Sequence, residues 1–135
     1  MTQEDRVNLA KALIESSHRC ITTARFNVEI DDYKAAANRS YYAIFDAIRA
    51  VLILQEEPQR SKHSGVIAQF RQEYIKTGLF DKRYSQTISD AFEIRNEADY
   101  DVAYLISREE VQVQIERADE FLRAVETYLR NANVL

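Results

Sequence analysis

The sequence has little that turns a chain. Its 135 residues include two glycines, Gly65 and Gly78, and a single proline, Pro58. Tight turns draw on both residue types, so this scarcity excludes a sheet-rich fold with many reversals and favours few, long elements. Cysteine is equally scarce. Cys20 stands alone, which excludes an internal disulfide and fits a reducing cytoplasm. No run of ~18 apolar residues is present. The opening segment MTQEDRVNLAK lacks the apolar stretch of a signal peptide. A cytoplasmic protein with no membrane contact is expected. There is no glycine-rich phosphate loop, no Gly-x-Ser-x-Gly elbow and no Cys/His cluster of the zinc type. His18 and His63 are far apart in sequence, so neither a metal nor a cofactor is expected.

What remains is the composition of a folded domain, with 46% hydrophobic and 30% charged residues. One domain over 1–135 is expected, long enough to bury a core without staples. The net charge of -4 gives no overall attraction for nucleic acid, although it leaves room for a local basic pocket.

The spacing of apolar residues predicts five helices. The first covers 2–28, with Thr2 and Asp5 in capping-box spacing and Val7, Ala10, Leu13, Ile14, Ile21 and Ala24 on one face. The second covers 31–54, opened by Asp31 and Asp32 at the positive helix end. Its stripe Tyr33, Ala37, Tyr41, Ile44, Ile48 and Val51 adjoins a second stripe of Tyr42, Phe45 and Leu52. Only Asn38, Arg39, Asp46 and Arg49 form a polar strip. Such a helix must be covered on most sides, as the centre of a bundle or in a dimer interface. A solvated loop is expected over 55–60. A third helix, capped by Ser61, then runs to Thr77 and is ended by Gly78. The fourth starts at Asp81 and carries Tyr84, Ile88, Ala91, Phe92 and Arg95 on one face. An irregular stretch over 99–106 precedes a last helix with a Ser107–Glu110 capping box and a stripe through Val111, Ile115, Ala118, Leu122, Val125 and Leu129.

Arg95 is the anomaly, because a guanidinium on an apolar stripe requires a partner. One reading is structural, with Arg95 paired to Asp99 one turn on or to another helix. The other is a pocket in which Arg95 binds phosphate while Asn96 and Tyr100 position it. His63 opens a helix, where free N–H groups attract anions, but a surface or capping role is the simpler reading. His18 and the Arg108-Glu109-Glu110 run read as solvated.

Three segments, taken together and in this order, resemble the HEPN family. They are Arg39-Ser40-Tyr41-Tyr42-Ala43-Ile44-Phe45-Asp46-Ala47, then Lys62-His63-Ser64-Gly65-Val66 with Phe70 and Lys76-Thr77-Gly78, then Arg95-Asn96-Glu97-Ala98-Asp99-Tyr100. The resemblance implies an all-α, up-and-down bundle of four to five helices, usually a homodimer. It also implies a minimal nucleotidyltransferase partner in a toxin–antitoxin-like system. Active members of the family are metal-independent endoribonucleases whose motif is an arginine, a polar residue and, a few positions on, a histidine.

Arg95 and Asn96 match that motif, but Tyr100 stands where histidine is expected. A phenol titrates near 10 and is a poor proton acceptor at neutral pH. The resemblance therefore implies a module with an Arg95, Asn96 and Tyr100 pocket for nucleotide or RNA phosphate that is non-catalytic or weakly catalytic. The alternative is an endoribonuclease using the same three residues. In some family toxins the partner attaches nucleotide to a tyrosine two positions beyond the histidine. Here that position is Val102, and Tyr104 is out of register.

Overall fold

The N-terminal end of each long helix is specified locally. The computed structural model describes residues 1–56 and 62–135. Helix α1 spans Gln3–Glu29. The Thr2 hydroxyl accepts from the Asp5 amide at 3.1 Å, and the Asp5 carboxylate accepts from the Thr2 amide at 3.0 Å, completing the expected box. Asp31, at φ 59°, turns the chain, and Asp32 caps α2, Tyr33–Leu52. Helix α3, His63–Phe70, runs into a π-helical turn, Arg71–Ile75, closed by the Lys76 amide donating to the Arg71 carbonyl at 2.9 Å. Helix α4 spans Arg83–Tyr100. Helix α5 spans Arg108–Asn131 and opens with the Ser107–Glu110 box. There is no strand among the described residues.

Several boundaries differ from expectation. The third helix does not continue regularly to Thr77. It widens at Arg71 and closes at Ile75, and Gly78, at φ 82°, then reverses the chain. Pro58 and the expected Ser61 cap lie outside the described residues. Helix α4 begins at Arg83, whose amide donates to the Asp81 carboxylate at 2.9 Å, and it runs through Asp99 and Tyr100. Nothing in Glu97-Ala98-Asp99 breaks a helix, and the Asp101 amide still donates to the Glu97 carbonyl at 2.9 Å. The irregular stretch shrinks to 101–106.

The four long helices run up and down. On α1 and α2, Ser17 Oγ donates to the Ala43 carbonyl at 2.6 Å and Ser16 Oγ to the Asp46 carboxylate at 2.7 Å. Later residues of α1 thus meet earlier ones of α2. The Arg25–Glu116 ion pair and the His18–Glu126 hydrogen bond set α1 antiparallel to α5. Arg83–Glu120 and Arg117–Asp90 do the same for α4 and α5. His18 is therefore half-exposed but partnered. Arg108 is more than solvated: it donates to the Asp31 carboxylate at 2.7 Å and to the Tyr33 hydroxyl at 3.2 Å, tying α5 to the α1–α2 turn.

Helix α2 lies at the centre, packed against α1, α3, α4 and α5. Tyr41, Ile44, Ile48, Val51 and Leu52 are at most 1% exposed. The broad apolar surface that raised the possibility of a dimer interface is thus closed within one chain. Ile48→Ala is expected to lower stability by about 2–5 kcal/mol, and Ser107→Ala by about 1 kcal/mol, in urea unfolding followed by circular dichroism. A native-like midpoint for Ile48→Ala would contradict the central placement of α2.

Candidate functional site

Arg95 projects from α4 onto the aromatic face of α2. Ile88 and Ala91, on the same stripe, are buried, so the next position on that face reaches the core edge. The side chain is 11% exposed. Its guanidinium carbon lies 4.5 Å from the Tyr41 ring centre, 5.8 Å from Tyr42 and 5.9 Å from Phe92. Three aromatic faces replace water around the cation, each worth about 0.5–2 kcal/mol. Nη1 also meets the Asp99 carboxylate at 3.4 Å, the i,i+4 pair read from the sequence. Nε is buried with no hydrogen-bond partner among the described residues. Burial opposes the charge, but Tyr41 and Asp99 outweigh it and raise the Arg95 pKa further. The group is a permanent cation.

His63 is the second member of the cluster, and its surroundings correct the surface-or-capping reading. As the first residue of α3 it packs inward, its ring stacked 4.0 Å from that of Phe45 and edge-on to Tyr42 at 5.8 Å. Its Nδ1 is 3.0 Å from the Tyr41 hydroxyl. Tyr41 therefore joins the two groups, with its face under Arg95 and its hydroxyl on His63. Burial, then Arg95, then Arg49 lower the His63 pKa below its usual value, so the imidazole is neutral at pH 7. Burial raises the Tyr41 pKa, keeping it a phenol. A phenol donating to Nδ1 leaves the ring proton on Nε2, which has no protein partner among the described residues.

Asn96 and Tyr100 share α4 with Arg95, but no hydrogen bond or aromatic contact joins either to the guanidinium within the chain. Asn96 is half-buried. Tyr100 ends the helix at 80% exposure, and Val102 beyond it is 96% exposed. Tyr104 sits lower, its pKa raised by burial and by Glu97, Glu110 and Glu93. The residues that the sequence did not tie to Arg95 are Tyr41 and Tyr42, which face its guanidinium, and His63, which is linked to it through Tyr41. The available signal was that all three belong to the segments carrying the resemblance.

An all-α bundle holding a cation against a tyrosine-rich central helix defines the class of protein. Residues 10–128 match the family model described as HEPN domain, and the chain belongs to that family. A Methanocaldococcus jannaschii protein named "Putative toxin MJ0142" is 32% identical over 123 residues, covering 91% of this chain and 83% of its own. A Thermotoga maritima protein named "UPF0332 protein" is 33% identical over 115 residues, covering 85% and 86% respectively. A second M. jannaschii protein, "Putative toxin MJ0605", is 30% identical over 120 residues, covering 89% and 88%.

A lowered His63 pKa has a consequence for stability. The unfolded chain takes up the imidazole proton more readily than the folded one, so folding is favoured above the ordinary histidine pKa of about 6.5. That contribution is lost as pH falls from there through the folded value. In a His18→Gln background, the urea midpoint is expected to drop between pH 7.5 and 5.5, and His63→Gln is expected to flatten the drop. An equal drop in both proteins would mean that His63 titrates normally.

Proposed function

We propose that this chain is a toxin-like HEPN module that forms a homodimer, works with a minimal nucleotidyltransferase partner in the cytoplasm, and holds a nucleotide or RNA phosphate at Arg95. Arg95 carries the reading. It is fixed at the edge of the core by three aromatic rings, has one weak carboxylate contact at 3.4 Å through Nη1, and makes no hydrogen bond through Nη2 among the described residues. Such a guanidinium suits an anionic oxygen, with charge-assisted bonds of about 1.5–3 kcal/mol each. Asn96 and the exposed Tyr100 complete the site when a second copy brings its own set alongside. The relatives named as toxins support the biological setting.

Cleavage is slow or absent in this reading. Arg95 cannot accept a proton, and a phenol at Tyr100 is a donor. Absence of a general base removes about 10²–10⁴-fold in rate. The alternative, a metal-independent endoribonuclease, is favoured by one observation, the neutral imidazole of His63 sharing Tyr41 with Arg95.

Light scattering is expected to give a mass of twice 15.7 kDa at micromolar concentration. Native co-purification with mass spectrometry is expected to recover a nucleotidyltransferase. On mixed RNA with chelator present, wild-type protein is expected to cleave little, and Tyr100→His to gain activity. Strong wild-type cleavage abolished by His63→Gln or Tyr100→Phe would establish the endoribonuclease instead. A monomer that binds no RNA would remove the proposal.

A further inference from the structure

A cleft of about 320 Å³ opens between α4 and the α3–π-turn segment, with Phe92 in its lining. Arg71, the first residue of the π-helical turn, forms one wall. Its Nη2 donates to the Ser85 carbonyl at 2.9 Å and to Ser89 Oγ, while its Nε is buried without a partner among the described residues. All of its hydrogen bonds go to neutral oxygens. Arg71, like Arg6, Arg19, Arg39 and Arg49, makes no ion pair among the described residues, but of these five it alone has a buried Nε without a partner. Glu93 borders the cleft without closing on it. A half-buried guanidinium with neutral partners is poorly compensated, and it faces open volume.

The rest of the lining is complementary to more than an ion. Ser64 and Ser89 bring hydroxyls, and Ile67, Ile88 and Phe92 form an apolar floor. Phe92 is shared, since the Arg95 guanidinium and the Tyr41 ring both lie about 5.9 Å from its centre. Ser89, bonded to Arg71, and Arg95 are six residues apart on α4, about 9 Å of helical rise. The two arginines thus meet α4 more than one turn apart, a separation that successive phosphates of one strand can span. A cation at each end with an aromatic face between them is the pattern that holds single-stranded nucleic acid.

We infer that the Arg71 cleft is a second phosphate subsite for single-stranded RNA, continuous with Arg95 across Phe92, so that the protein reads a strand of at least two phosphates rather than a mononucleotide. The inference rests on the proposed phosphate role of Arg95. Arg71 grips the second phosphate, Ser64 and Ser89 donate to its oxygens or to the ribose, and Phe92 supports the intervening base.

Fluorescence anisotropy with a labelled hexauridylate, competed by uridine 5′-monophosphate and repeated across salt concentrations, tests the subsite on the full chain. Arg71→Gln is expected to weaken hexauridylate binding about tenfold or more. It is also expected to reduce the slope of log affinity against log salt by about 0.7, the release expected for one single-strand phosphate contact. Competition by the monophosphate should be unchanged. Ser89→Glu, at an exposed position, neutralises Arg71 without removing it and is expected to reproduce both effects, which covers an Arg71→Gln variant that folds poorly. Phe92→Ala should weaken the oligonucleotide with the slope intact. If Arg95→Gln abolishes binding while Arg71→Gln and Ser89→Glu match wild type in affinity and slope, the subsite is wrong and the Arg95 reading stands. If wild type binds no hexauridylate, both fall.

Discussion

Helix α2 has too narrow a polar arc to stand against water, and the bundle is arranged to relieve that. Four other helices close around it, and its few polar side chains are placed where they can be satisfied. Asp46 takes the Ser16 hydroxyl, and the small Ala43 lets Ser17 reach a backbone carbonyl at close range. The up-and-down course follows from this constraint, because alternating directions are the economical way to lay three long helices around a fourth. Helix α3 is the exception. It is short and ends in a π-turn, and it covers the part of α2 that the long helices leave open.

The same covering creates the site. Where α4 crosses the Tyr41–Tyr42–Phe45 face, an arginine is used in place of an aliphatic side chain. The aromatic faces of α2 make that tolerable, since their quadrupoles attract the cation that burial disfavours. His63 arrives from α3 against the same rings and shares the Tyr41 hydroxyl. A permanent cation and a neutral imidazole thus come from different helices and meet through one phenol. Tyr41 is buried for packing, yet its two polar features, the ring face and the hydroxyl, are each occupied by a functional candidate.

This arrangement shifts attention from the linear motif. Arg95, Asn96 and Tyr100 follow one another on α4, but in the single chain Tyr100 is exposed at the helix end while Arg95 is drawn inward. A motif that spreads over six residues of a helix covers more than one turn, and its members share a site only if something bridges them. The second copy and the multi-phosphate ligand proposed above would each supply such a bridge. Phe92 and Arg71 extend the basic path along the other direction of α4, in a protein whose overall charge is negative.

By itself the sequence determined the helices and most of their ends. The Thr2–Asp5 and Ser107–Glu110 boxes, the Asp32 cap and the left-handed Gly78 are local devices, fixed by hydrogen bonds and φ angles within a few residues. The apolar encirclement of α2 was equally legible, because it is a property of one helix. The need of Arg95 for a partner could be read too, and Asp99 was found because it lies one turn away. Only the tertiary structure decided that Tyr41 and His63 complete that cluster, since they are 22 residues apart from each other and farther from Arg95. Periodicity assigns residues to a face but says nothing of which face of another helix they meet. The π-turn at Arg71, and the cleft it opens beside Phe92, are likewise outcomes of packing that no local pattern encodes.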